Sequence, residues 1–214
     1  MYENLIRLEK KHIPRVGKML TNAFHDSPMF KYLFSDDKKR KKLMEIIFPI
    51  AIQILNIRGN VYVTSENVEG AFCVTRYGKK NKKGRNFPLF SFIYYLPKIL
   101  LNLFPYNFLV KARKLKGANN ALAYFKRTYN DFLIIDAVSV DPLYRNQGHM
   151  SKLMRSALKE VDETKSFCVL QTETKENAAI YQHLGFKLIN KIIDDDVPFP
   201  TYVLLYDPYK ITKS

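Results

Sequence analysis

The sequence predicts an α/β (α+β) protein, a central sheet flanked by helices with a helical insertion. Three observations predict it. Beyond residue 131, apolar runs of strand length alternate with amphipathic stretches of helical period. The chain has 214 residues, 47% hydrophobic and 26% charged, enough for one sizeable core and short for two full domains. Residues 77–130 are basic and aromatic and fit no strand-helix rhythm, so they read as an insertion within a single 1–214 domain.

Taken in order, Asn4–Leu8 alternates weakly and reads as an edge strand. Pro14 opens a helix whose apolar positions Ile13, Val16, Leu20, Ala23 and Phe24 keep helical spacing, with a stop near Asp26-Ser27-Pro28. Lys41–Asn56 is a second helix, which Pro49 is expected to kink or divide. Two short strands follow, at 60–64 and 70–76. The insertion begins as a Lys79–Arg85 loop and continues as one or two helices. Phe132–Val140 is a continuous apolar run with one charge inside it, Asp136, and reads as a buried parallel-type strand. Met150, Leu153, Met154, Ala157, Leu158 and Val161 form one helical face. A strand at 167–172, a short helix at 177–184 closed by Gly185, and a strand pair at 186–193 and 201–206 around Asp194-Asp195-Asp196 complete the chain.

The formal charge is +15, and the thirteen basic residues between Arg76 and Asn130, with no acidic one, supply most of it. An anionic partner is the expectation. The amino terminus lacks a signal-peptide pattern, so a cytoplasmic protein is expected. Phe87–Val110 is apolar but broken by prolines and polar residues, which makes a poor transmembrane helix. Cys73 and Cys168 lie in strand-like runs and read as buried free thiols. His12, His25, His149 and His183 share no metal-ligand spacing and read as surface residues; no metal is expected.

The turn Arg145-Asn146-Gln147-Gly148-His149-Met150-Ser151 joins a buried strand to an amphipathic helix, a place where main-chain N–H groups and the helix dipole converge on an anion. Together with Val138-Ser139-Val140-Asp141-Pro142 and the block Asn177-x-x-x-Tyr181-x-x-x-Gly185-Phe186, it resembles the GNAT superfamily of N-acetyltransferases. The segments Ala23–Pro28, Tyr32–Phe34 and Val197–Pro200 are similar to the branch that includes puromycin acetyltransferase-like enzymes. The resemblance implies a mixed sheet that splays after the strand ending at Val140, with acetyl-CoA (coenzyme A) as cofactor. It implies main-chain contacts from Val138, Ser139 and Val140 to the pantetheine arm, and pyrophosphate held by Arg145–Ser151. Asn177 would steady the arm, and Tyr181 would point at the sulfur.

Two residues depart from the family pattern. Met150 stands where a second Gly or Ala is usual and is expected to crowd the phosphates; Gln171 replaces a Glu, removing one possible base. Chemistry still demands a base, because a lysine-like amine with pKa ~10.4 costs about 4 kcal/mol to present neutral at pH 7. By strand parity Asp136 would face the same cleft as Val138 and Val140; it serves either as that base or as a partner to a neighbouring strand. A main-chain N–H near Val140 is the oxyanion donor, and Tyr181 either protonates the departing thiolate or packs in the core. Phe24, Asp136 and Gln171 are the acceptor-side candidates. Asp194–Asp196 either attracts a cationic amine or is simply solvated. The sequence thus points to an N-acetyltransferase that moves an acetyl group from acetyl-CoA to a small-molecule primary amine in a ternary complex. Two other classes remain open: a nucleic-acid-binding protein using the basic 76–130 segment, and a non-catalytic acyl-CoA sensor.

Overall fold

The structure is a computed structural model that describes residues 2–58, 60–78, 97 and 108–212. The Lys79–Arg85 loop and most of the Phe87–Val110 run lie outside the described residues. No helix among the described residues is long and apolar enough to cross a membrane.

The frame is a seven-stranded sheet of order β1-β2-β3-β4-β5-β7-β6. Its strands are β1 Ile6–Arg7, β2 Asn60–Val63, β3 Gly70–Gly78, β4 Asp131–Val140, β5 Cys168–Thr172, β6 Lys187–Ile192 and β7 Thr201–Tyr206. All neighbours are antiparallel except β4 and β5, which run parallel. The long apolar strand expected to be parallel is therefore antiparallel on its β3 side. The mixed sheet flanked by helices matches the prediction.

Helix α1, Ile13–Phe24, starts on Pro14 and buries Val16, Met19 and Leu20. Helix α2, Pro28–Leu33, was missed because Ser27-Pro28 reads equally as a stop. Here it is a start: the Ser27 hydroxyl accepts from the Phe30 N–H at 3.3 Å and Pro28 occupies the first turn. Helix α3, Asp37–Arg58, runs through Pro49 without being divided there, one of the two outcomes expected of that proline. The proline ring lies over Gly17 of α1, where an added Cβ would come within 2.7 Å of Pro49 Cγ. Arg40 is buried at the corner of these three helices and donates to the carbonyls of His25 (2.8 Å) and Phe34 (2.9 Å), and to Asp37. It fixes the α1–α2 turn over the sheet. His12 is also buried rather than exposed: its Nδ1 accepts from the Glu9 N–H at 3.0 Å, and Nε2 is 3.1 Å from Glu66.

Helices α4, Phe108–Lys114, and α5, Lys116–Thr128, precede β4. Helix α6, His149–Thr164, and α7, Lys175–His183, follow β4 and β5. One sheet face carries Phe72, Val74, Leu133, Ile135, Leu170 and Leu204 under α6 and α7. The other carries Val61, Val63, Ala71 and Cys73 under α1 and α3, and Phe132, Ile134, Val169 and Val203 under Phe125 of α5. Both cysteines are free and buried, as expected.

Close approach at Gly17 leaves no room for a branched side chain. Gly17→Val is expected to lower the unfolding free energy by roughly 1–3 kcal/mol, read by urea denaturation; stability equal to the parent would mean that the α1–α3 contact yields freely.

Candidate active site

Strands β4 and β5 pair only at Leu133–Ile135 with Cys168–Leu170, yet β4 continues to Val140 and β5 to Thr172. The sheet opens there. The Asp141 N–H donates to the Glu69 carbonyl at 2.8 Å, and the register pairs Ser139 with Ala71 and Ala137 with Cys73. Antiparallel alternation then turns the main-chain groups of Ala137 and Ser139 toward β3. Those of Val138 and Val140 face the side that β5 has left. Of the predicted trio 138–140, Val138 and Val140 thus offer open main-chain donors and acceptors, and Ser139 is buried with its main chain in the β3 ladder.

Past β4, the Asp141 carboxylate accepts from the Leu143 N–H at 3.0 Å and starts a short 3-10 turn at Pro142–Tyr144. Arg145, Asn146 and Gln147 lie exposed on the way into α6. Asn146 (φ 63°) and Gly148 (φ 81°) both adopt the left-handed region, which Asn and Gly tolerate best. The first helical bond runs from the Lys152 N–H to the Gly148 carbonyl at 2.9 Å, so the N–H groups of His149, Met150 and Ser151 precede the helix ladder. They point at the positive end of the dipole, over a Gly148 whose added Cβ would meet nothing within 4 Å. Met150 is partly buried, and its side chain packs against the apolar cluster under α6.

Asp136 breaks the parity expected of it. Cys73 faces Ala137 and Val74 faces Ile135, so Asp136 is the extra residue of a β-bulge. Ile135, Val138 and Val140 pack on the α6–α7 face, whereas Asp136 turns to the opposite face, beside Cys73 and Thr75. The Thr75 hydroxyl donates to Asp136 Oδ2 at 2.5 Å and the Cys73 thiol lies 3.9 Å from it. Although Asp136 is open to the cleft by surface area, the walls around it withhold enough water to raise its pKa; the Thr75 hydrogen bond and the Lys126 charge only partly oppose that.

One position beyond the last β4–β5 pair, Gln171 lies level with Asp136, on the same face as Val169 by alternation. Its Oε1 is buried and has no hydrogen-bond partner among the described residues. Phe24 joins Ala137 in the apolar cluster on this face, in ring contact with Phe30 (6.3 Å) and Phe48 (5.9 Å). The three acceptor-side candidates therefore share one face.

Tyr181 is on the other. It is buried in the cluster that includes Val138 and Val140, with Phe186 edge-on at 6.1 Å. Burial raises its pKa first, and the nearby charge of Glu173 adds to this. Asn177, in the first turn of α7, is exposed. Glu173 was not singled out from the sequence. It is half-buried between β5 and α7, and burial raises its carboxyl pKa. A carboxylate directly past an apolar strand and leading into the Asn177–Tyr181 helix was the available signal.

In the acidic run, Asp195 and Asp196 are exposed, as the solvated reading expects, and Asp196 also makes contacts. Lys114 pairs with Asp196 at 2.8 Å, and the Tyr32 hydroxyl donates to the Asp196 carbonyl at 3.2 Å. Lys111 Nζ donates to the Tyr32 carbonyl at 2.8 Å, and the Tyr32 ring meets Phe199 at 6.0 Å. The β6–β7 loop is thereby fastened to α2 and α4. A basin of about 520 Å³ on the flank of α6 shares Gly148 and Ser151 with the turn but includes none of Asp136, Gln171 or Tyr181.

The sequence profile of the acetyltransferase (GNAT) domain matches residues 108–188. Over those residues the chain is similar to the GNAT acetyltransferase domain, and its sheet and helices have the GNAT fold. The match spans β4, the turn, β5 and the Asn177–Tyr181 helix. A histone acetyltransferase-related protein from Corynebacterium glutamicum is similar in structure over 98% of both chains, with a TM-score of 0.64 and 15% identity. The Drosophila melanogaster polyamine N-acetyltransferase aligns over 95% of this chain and 98% of its own (TM-score 0.56, 12% identity). An arylalkylamine N-acetyltransferase 2 from Aedes aegypti aligns over 95% of this chain and 97% of its own (TM-score 0.56, 14% identity). No curated protein matches the chain in sequence.

Gly148→Ala places a methyl group over the GNAT turn in a backbone region costing about 1–2 kcal/mol for L residues. Expected is a lower melting temperature together with roughly tenfold weaker acetyl-CoA binding by calorimetry; unchanged affinity would remove this turn from the phosphate site.

Proposed function

We propose that the protein transfers an acetyl group from acetyl-CoA to a primary amine of a small molecule, by direct attack within a ternary complex. The observation that carries this reading is the opened β4–β5 edge. Open main-chain groups of Val138 and Val140 line it, Asp136 and Gln171 border it on one face, and Tyr181 is packed with the two valines on the other.

The residues present suit acetyl-CoA. Val138 and Val140 offer the donors and acceptors an extended amide-bearing arm needs, and the N–H groups of His149–Ser151 suit a pyrophosphate. Arg145, Asn146, Gln147 and Asn177 stand at the exposed rim, where they would add polar contacts. The thioester supplies an activated acyl group. Asp136 takes the ammonium proton at Oδ1 or Oδ2, with its raised pKa bringing it closer to the operating pH. A main-chain N–H near Val140 stabilises the developing oxyanion. Tyr181, kept neutral by burial, gives its hydroxyl proton to the departing sulfur.

The amine acetyltransferases of Drosophila and Aedes support an amine acceptor. The puromycin acetyltransferase-like assignment draws support from the Tyr32–Phe199 contact, which joins two of the segments that suggested it. The acyl-CoA sensor reading is weakened in one of its motives, because the Met150 side chain packs against the cluster under α6. Nucleic-acid binding gains nothing from Arg76, Lys111 and Lys114, which are engaged within the fold.

Thiol release with acetyl-CoA across a panel of amines tests the reading. Tyr181→Phe is expected to lower kcat by roughly 10- to 1000-fold with acetyl-CoA affinity kept; unchanged turnover returns Tyr181 to a packing role. Asp136 must be ionised to act, so kcat/KM should fall as pH drops through a value above the usual carboxylate range, and Asp136→Asn should abolish that limb. The same raised pKa makes the ionised side chain a stability cost above the unfolded carboxyl pKa, so Asp136→Asn should melt higher at neutral pH. A variant that loses stability instead, with its pH profile intact, makes Asp136 structural.

A further inference from the structure

We infer that Gln171 is a specificity-determining residue that holds the acceptor nitrogen and selects amines over hydroxyls. The inference rests on the proposed acetyl transfer and deepens it at the same site.

Its starting point is an imbalance in the fold. The Gln171 Oε1 atom is buried without a partner among the described residues, and a buried carbonyl oxygen in that state costs stability that a folded protein ordinarily avoids. Its place gives the imbalance a purpose. Ile135 and Leu170 are the last residues paired across β4 and β5. Asp136 and Gln171 are the next on each strand and turn to the same face, at the level where the two strands part. Asp136 accepts from Thr75 and lies beside the Cys73 thiol, leaving lone pairs on its carboxylate. This face of the gap therefore carries two hydrogen-bond acceptors, one charged and one neutral, and Phe24 and Ala137 pack on the apolar cluster of the same face.

A group that satisfies both must carry at least two protons on one atom. A primary ammonium carries three. One goes to Asp136, and after its transfer an N–H remains on Gln171 Oε1, leaving the nitrogen lone pair free to attack. A hydroxyl has a single proton; given to Asp136, it leaves the Gln171 oxygen as unpaired as before. Gln171 thus rejects alcohols by withholding a hydrogen bond rather than by size.

Gln171→Met fills the same space without the oxygen. It is expected to unfold at higher urea concentration than the parent, while KM for an amine acceptor rises roughly 10- to 100-fold and KM for acetyl-CoA stays put. Gln171→Glu, which keeps an oxygen there, should restore the amine KM to within a few-fold. With an amino alcohol as acceptor, the parent should give only the amide, and Gln171→Met a measurable share of ester. Amine-induced thermal stabilisation, measured without turnover, separates this inference from the proposed function. If the parent binds amines in a Gln171-dependent way but releases no thiol, acetyl transfer fails and the selection stands. The inference is overturned if Gln171→Met is less stable than the parent with amine binding unchanged, or if acetyl-CoA affinity falls instead, which would assign the oxygen to the cofactor arm.

Discussion

Parallel pairing between β4 and β5 ends after three residues from each strand, and the candidate site depends on that ending. Two strands that diverge leave main-chain groups unsatisfied, so something must hold each in place without the other. Their outer neighbours do this. Strand β4 is paired to β3 from Asp131 to Val140, and β5 is paired to β7 over its whole length, Cys168 to Thr172. The split is a seam between two antiparallel units, each complete on its far side. The bulge at Asp136 falls one residue past the last parallel pair, where extra twist turns β4 away from β5.

The bulge also sorts the chemistry. By placing Asp136 and Ala137 on the same face, it sends a carboxylate to the α1–α3 side while Val138 and Val140 keep the α6–α7 side with Tyr181. Under the proposed function, proton removal from an acceptor and proton delivery to a leaving group would fall on opposite faces of one gap. A regular strand would have put Asp136 among the hydrophobic residues under α6, where an unpaired carboxylate is costly. The site concentrates local penalties: a desolvated carboxylate at Asp136, another at Glu173, and an orphaned oxygen at Gln171. Another buried oxygen without a partner among the described residues, Asn56 Oδ1, lies on α3, so it is the grouping of three such penalties around one gap that marks this region as a candidate binding site.

Much of this was legible in the sequence. The alternation of apolar runs with helical faces beyond residue 131 located every strand of that half, and Gly148 and Gly185 marked turns that indeed require positive φ. The bulge was not legible, because Phe132–Val140 is apolar on both faces and carries no alternation from which a slipped register can be read. Ser27-Pro28 was ambiguous for a local reason, since the pair both ends and begins helices. Pro49 and Arg40 were unreadable for a distant one. Gly17 makes the room for the proline ring, and the carbonyls Arg40 holds belong to turns defined only after α1–α3 assemble. Met150 showed the limit of reasoning by residue type: a helix-start position tells where the N–H points, and packing decides where the side chain goes.

The basic character of residues 76–130 takes on a structural meaning where it can be followed. Arg76 grips Asp131 through two hydrogen bonds, 2.8 and 2.7 Å, and reaches the buried Glu160 of α6 at 3.3 Å. Lys111 and Lys114 hold α2 and the β6–β7 loop from α4. The Lys114–Asp196 pair is exposed on both sides, and pairs of that kind contribute at most about 1 kcal/mol. The loop is fastened more by the Tyr32–Phe199 ring contact and the Tyr32 hydroxyl than by charge. Tyr32 therefore joins three elements at once: its ring touches the β6–β7 loop, its carbonyl receives Lys111 and its backbone belongs to α2. The contact it anchors joins segments 164 residues apart in the chain, and a junction made across such a separation is the part of a fold that local sequence patterns describe least.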